Sequence, residues 1–85
     1  MPLISIFEGI KIYMYYIYGE HEPPHVHAFY QGKQMIVDII TLKIRGKSSL
    51  AKSAKKKVLL WIEKHRDELM EIWTTQVFRR IEGSY

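Results

Sequence analysis

His21, His25 and His27, three of the chain's four histidines, fall in the stretch GEHEPPHVHAFY together with Glu20, Glu22 and the pair Pro23-Pro24. Imidazole and carboxylate side chains at this density support two chemistries. The first is metal binding. On a strand, His25 and His27 leave the same face, and His21 or Glu22 reaches over from the preceding loop as a third ligand. That donor set suits a divalent transition metal such as zinc, iron or nickel, in an open and reactive site. The second chemistry needs no cofactor. Histidine's ordinary pKa of about 6.5 lets one ring take a proton and another give one near neutral pH. RNA carries its own nucleophile, the 2′-hydroxyl, so a base, an acid and cations around the scissile phosphate suffice to cleave it. In that arrangement His25 and His27 are the acid–base pair, Tyr13 or Tyr15 is an alternative proton donor, and Lys or Arg side chains stabilise the phosphate. A third, structural reading uses the same residues. Proline fixes φ and pushes the preceding Glu22 toward extended backbone, so Pro23-Pro24 sets a rigid loop whose polar side chains satisfy it. His65, at helical spacing on an apolar stripe, reads as a core or helix-end residue.

The cations are concentrated. The chain has a net charge of +4. No acid lies between Asp38 and Glu63, while Lys43, Arg45, Lys47, Lys52, Lys55, Lys56 and Lys57 all do. A block of one sign attracts phosphates or an acidic protein partner, so Lys43, Arg45, Lys47, Lys52, Lys55 and Lys56 are the candidate nucleic-acid or partner contacts. The alternative is a solvated helix face and strand end.

The elements that must position these groups read as strands first and helices second, a small α+β domain. ISIFEGIKIYMYY holds two β-rich runs broken at Glu8-Gly9, HVHAFY is a third, Gln31-Gly32 a second tight turn, and KQMIVDII a fourth. LKIR suggests a short fifth strand that Gly46 ends, giving four to five antiparallel strands over 1–46. Alternation places Val26, Ala28 and Tyr30 on one face and His25, His27 and Phe29 on the other. It also sets Met35, Val37 and Ile39 against Gln34, Ile36 and Asp38, with Lys11, Tyr13 and Tyr15 the more polar set of the second strand. From Ser48 the period lengthens. Ser48 or Ser49 is a reasonable N-cap, and Leu50, Ala54, Val58, Trp61 or Ile62, and His65 follow at steps of three and four. Leu69, Ile72, Trp73, Val77 and Ile81 continue the stripe, with Asp67 and Glu68 near its start, Arg79 and Arg80 near its end and Gly83 as the stop. Two helices over 48–82, breaking near His65–Asp67, would pack on one face of the sheet.

At 85 residues the chain makes one domain with a modest core. It has no cysteine, which excludes disulfides and thiolate zinc sites and fits a reducing cytoplasm. No signal peptide is evident and no apolar run approaches the roughly 20 residues of a membrane helix. These features predict a cytoplasmic protein without a membrane partner and leave homo-oligomerisation open.

MPLISIFEGIKIYMYY, HEPPHVHAFY, a short IVDI strand and WIEKHRDELMEIW together resemble the small bacterial proteins grouped as domain of unknown function 4160. Those typically begin Met-Pro-x-Ile-Ser, carry an H-E-P-P-H-x-H motif and end in a Trp-x-x-x-His-Arg-x-x-Leu-x-x-x-Trp segment. The motif here is His21, Glu22, Pro23, Pro24, His25 and His27, with Trp61, His65, Arg66, Leu69 and Trp73 in the tail. The resemblance spans nearly the whole chain in order. It implies a chain encoded beside a second small protein, a pairing similar to a type II toxin–antitoxin module. In such modules a small basic toxin that attacks RNA or translation is restrained by a cognate antitoxin, here expected to be acidic. The chain departs from the family pattern in IITLKIRGKSS, which is shorter, more basic and less Gly-rich than the usual link to the first helix.

Overall fold

The computed structural model describes residues 2–15 and 23–85. Five strands, β1 (Leu3–Phe7), β2 (Ile10–Tyr13), β3 (His25–Tyr30), β4 (Lys33–Asp38) and β5 (Ile44–Arg45), form one antiparallel sheet in chain order. Two helices follow, α1 (Lys52–Lys64) and α2 (Arg66–Thr75). The α+β architecture is therefore the one the sequence predicts, with all five strands present.

The two tight turns have the backbone that right-twisted strands demand. Glu8 and Gly9 have φ of 49° and 79°, and Gln31 and Gly32 have 50° and 77°, so both central positions are left-handed, as in type I′ hairpins. Pairing of Val26 with Val37 and of Ala28 with Met35 fixes the register. The alternation predicted from sequence holds: Ile10, Ile12, Met14, Val26, Ala28, Met35, Val37 and Ile39 are buried together.

The helices close that face. α1 contributes Ala54, Val58, Trp61 and Ile62, and α2 contributes Leu69 and Ile72. The break falls at His65, as expected. The expected N-cap does not. Helix α1 starts at Lys52 after Ala51, with no side-chain cap. The Ser48 hydroxyl instead accepts from Leu50 N–H and donates to the Gln34 carbonyl, tying the approach segment to β4.

Helix α2 also ends earlier than the apolar stripe suggests. Gln76 adopts a left-handed conformation (φ 58°) and its N–H caps Ile72 O, so Val77, Arg79, Arg80 and Gly83 are not helical. Val77 is 69% exposed, whereas Ile81 is buried, by a different route. The tail crosses back to β1, where Ile81 N–H donates to Ile4 O at 2.8 Å. The Trp61 indole donates to Glu82 O at 3.0 Å and His65 Nε2 to Ser84 O at 2.8 Å. Gly83 is required by close approach, since a Cβ there would lie 2.6 Å from Phe7 Cβ. The Tyr85 hydroxyl and Lys57 both bind Glu8; the Tyr85 bond, followed by the lysine, holds the Glu8 carboxyl below its ordinary value. Among the described residues no helix is long and apolar enough to cross a membrane.

Candidate functional site

The candidate residues lie on the face of the sheet opposite the apolar core, with Trp73 of α2 reaching round to His25. Register sets Lys11 opposite Phe29, Tyr13 opposite His27, His27 opposite Ile36, His25 opposite Asp38, and Ile36 opposite Arg45. Side chains directly across antiparallel strands share a face, so this surface holds Lys11, Tyr13, His25, His27, Phe29, Gln34, Ile36, Asp38 and Arg45. The His25 and His27 rings lie 5.2 Å apart, and the Tyr15 ring meets His27 edge-on at 4.2 Å. Tyr13 packs edge-on against Phe29 at 5.4 Å. The structure thus brings the predicted pair and both predicted tyrosines to one patch.

The two histidines stand in different surroundings. His25 is 9% exposed, with the Trp73 indole of α2 at 5.1 Å. Its Nδ1 donates to the Pro23 carbonyl at 3.0 Å, since a carbonyl oxygen can only accept. His27 is half-buried, and its Nδ1 lies 2.7 Å from Gln34 Nε2. An amide nitrogen can only donate, so Nδ1 of His27 accepts.

The prolines act through their carbonyls. Pro24 O receives the Ile39 N–H at 2.9 Å, carrying the β3–β4 ladder one step past the strand. Pro23 O receives both His25 Nδ1 and Arg45 Nη2, the latter at 2.9 Å. Arg45 also donates to Asp38 Oδ1 at 2.6 Å. Two strands and the loop end are therefore clamped beside His25 by one guanidinium. Arg66 reaches the Ile39 carbonyl at 3.0 Å and pins the start of α2 to the same corner.

The other predicted cations stand elsewhere. Lys52 and Lys56 are exposed on α1, whose inner side packs on the opposite face of the sheet, and Lys55 is half-buried on the same helix. Lys43 and Lys47 are exposed and flank β5. Of the six predicted contacts, only Arg45 is placed beside the histidines; helical periodicity locates lysines around α1 but not on which side of the sheet α1 lies. Lys11 is the exposed cation on the histidine face that the charge block omitted. Gln34 and Trp73 were also missed as site residues. Gln34 faces Phe29, one step diagonal to His27, a relation visible only once register is known. His21 and Glu22, the loop ligands of the metal reading, lie outside the described residues. Among the described residues no group of three His, Asp or Glu side chains is placed to hold a metal ion.

The family model described as a domain of unknown function (DUF4160) matches residues 9–74. The chain belongs to the DUF4160 family. No curated protein and no solved structure matches it. The DUF4160 match spans the whole histidine face from Lys11 to Trp73, so the site lies inside the family's own unit. β1 and the tail beyond α2 lie outside the DUF4160 match, yet they bond to each other and seal one edge of the sheet.

Proposed function

We propose that this DUF4160 chain is the toxin of a bacterial toxin–antitoxin module and acts in the cytoplasm on RNA, as a small histidine ribonuclease that needs no metal. The observation that carries the proposal is the placement of His25 and His27 side by side on one face of the sheet, with Tyr15 against His27, Trp73 of α2 against His25 and Arg45 at the rim. The toxin context draws on the likeness of such paired families to toxin–antitoxin modules.

One histidine takes the proton from the 2′-hydroxyl and the 2′-oxygen bonds to phosphorus. The bond from phosphorus to the 5′-oxygen breaks, and a second group, His27 or Tyr15, protonates that oxygen. A 2′,3′-cyclic phosphate and a 5′-hydroxyl result. Lys11 is the exposed cation offered to phosphate on this face, with Arg45, already held by Asp38 and the Pro23 carbonyl, at its rim, and Tyr13 and Phe29 offer rings to unpaired bases. The lysines of α1 form a separate basic surface, suited to an acidic antitoxin.

Overexpression in a bacterial host tests the proposal. Wild type slows growth, and His25→Ala and His27→Ala relieve the arrest while retaining the wild-type circular dichroism spectrum. Normal growth with wild type sinks the toxin role, and equal toxicity of both variants sinks the catalytic assignment. A second reading, a binding module without catalysis, is supported by the apolar content of the same face, where Ile6 is 48% exposed opposite Lys11, Phe29 flanks Lys11 on its other side and Ile36 lies opposite His27. Purified protein that retains RNA without cleaving it favours that reading; cleavage lost to a chelator and restored by a transition metal favours a metal enzyme.

A further inference from the structure

One row of side chains crosses the sheet on the histidine face. Ile6 lies opposite Lys11, Lys11 opposite Phe29, and Phe29 opposite Gln34. Lys11 is exposed and joins no ion pair among the described residues. The row holds no acid. The acid that register places elsewhere on the face, Asp38, is bound by Arg45. A polyanion laid across the described part of this face therefore meets no unpaired carboxylate, and it finds a cation and a ring side by side. We infer that Phe29, with Lys11 beside it, is a subsite for one unpaired base of single-stranded RNA, adjoining the histidine pair. The inference rests on the reading of RNA as the target; it does not rest on cleavage.

Ring geometry limits the subsite to one base. The Tyr13 and Phe29 rings stand at 88° to one another with centroids 5.4 Å apart. Perpendicular rings cannot both lie flat against the same base, so one stacks and the other stands at its edge. Register decides which. Tyr13 is directly opposite His27, whereas Phe29 is directly opposite Lys11 and two positions along β3 from His27. Two positions on a strand span about 6.6 Å, so a base on Phe29 belongs to a nucleotide beside the histidines. The Lys11 ammonium is then within reach of that nucleotide's phosphate. Tyr13 is a positioning residue: it holds the Phe29 ring. A base inside a duplex has both faces covered by its neighbours, so the ring selects single strands. Every base has a π-face, so the subsite is tolerant of base identity.

Fluorescence anisotropy of a labelled 2′-O-methyl oligonucleotide titrated with the full chain tests this, since the blocked 2′-oxygen keeps the probe from being cleaved. The single strand should bind at least roughly tenfold more tightly than the same strand annealed to its complement. Phe29→Leu keeps an apolar side chain and loses the ring, so binding should weaken roughly 5- to 150-fold, the range for one stacked base. Tyr13→Leu should cost less. Lys11→Met should lower the slope of log affinity against log salt by roughly 0.7, one phosphate contact on a single strand. Phe29 is half-buried, so the circular dichroism spectrum of Phe29→Leu is compared with wild type. Phe29→Trp is the second variant: it keeps a ring, should bind as wild type does, and its added fluorescence should be quenched by the oligonucleotide. Equal binding of single strand and duplex, no binding of either, a folded Phe29→Leu within about twofold of wild type, or no quenching in Phe29→Trp overturns the inference. A greater loss in Tyr13→Leu than in Phe29→Leu also overturns it. Ring-dependent binding by a wild-type protein that cleaves no unmodified RNA overturns the ribonuclease reading and leaves the subsite standing. Cleavage that is unchanged in Phe29→Leu does the reverse.

Discussion

Replacing Gly83 by alanine should destabilise the protein although the residue lies in an irregular tail. The added Cβ would sit 2.6 Å from Phe7 Cβ, 2.9 Å from Ile6 O and 3.3 Å from Phe7 Cγ. Carbon atoms in contact prefer about 3.5–4.0 Å, so the overlap with Phe7 is close to 1 Å. Phe7 has little room to retreat, because its ring stacks on Trp61 at 5.5 Å and meets Tyr85 at 5.7 Å. Overpacking of this kind costs about 1–3 kcal/mol. For a domain of this size each kcal/mol lowers Tm by roughly 4–8 °C, so the expected fall is roughly 5–20 °C in a thermal melt. The escape route is lifting of the tail, which hydrogen exchange at the Ile81 amide would report as lost protection. Gly83→Asn separates the two explanations of this glycine. Asparagine tolerates the left-handed backbone of a helix stop, whereas against a wall it is worse than alanine. A melt within about 2 °C of wild type for Gly83→Ala, with Ile81 protection unchanged, would refute the close-approach argument, as would Gly83→Asn being the milder substitution.

Trp61→Phe keeps an aromatic ring but removes the donor to Glu82 O, so a loss of about 1 kcal/mol for the bond, plus a term for the lost ring volume, should appear in urea titration. Arg45→Met unpairs Asp38 and leaves the Pro23 carbonyl to His25 alone; the pair is partly exposed, so the stability loss is roughly 1 kcal/mol. The carboxyls of Glu8 and Glu68 are held below their ordinary value of 4.5, Glu8 chiefly by Tyr85 and Glu68 chiefly by His65. Each therefore contributes stability that is present above that value and lost as pH falls through the depressed one. Tm should decline on acidification below about pH 5, and the decline should be shallower in Glu8→Gln and Glu68→Gln.

Strand alternation carried most of what could be read from sequence. Glu8-Gly9 and Gln31-Gly32 announce their turns by residue type, and once they are fixed, parity sends His25 and His27 to one face and Val26 and Ala28 to the other. The α1 stripe likewise names its buried set. Failures came where local pattern and tertiary contact diverge. Val77 and Ile81 continue the helical spacing, but the left-handed Gln76 ends α2 first and Ile81 is buried by an extended tail against β1. Charge density marked the lysines without saying which side of the sheet each would occupy. Gln34 and Trp73 reach the histidines through register and helix docking, neither of which leaves a trace in composition or period.

The order of the sheet also bears on how the molecule assembles. Neighbouring strands are neighbours in sequence, and tight turns join β1 to β2 and β3 to β4, so most strand pairing closes short loops at small entropic cost. The contacts from Ile81 to Ile4 and from Tyr85 to Glu8 bring together opposite ends of the described chain. The meander is expected to form first and the tail to dock last, after the transition state for folding. Substitutions in the tail should then steepen escape from the native state and leave the refolding limb of a chevron unmoved. Persistence of the native fold, as distinct from the speed of reaching it, is thereby governed by a few residues at the β1 edge.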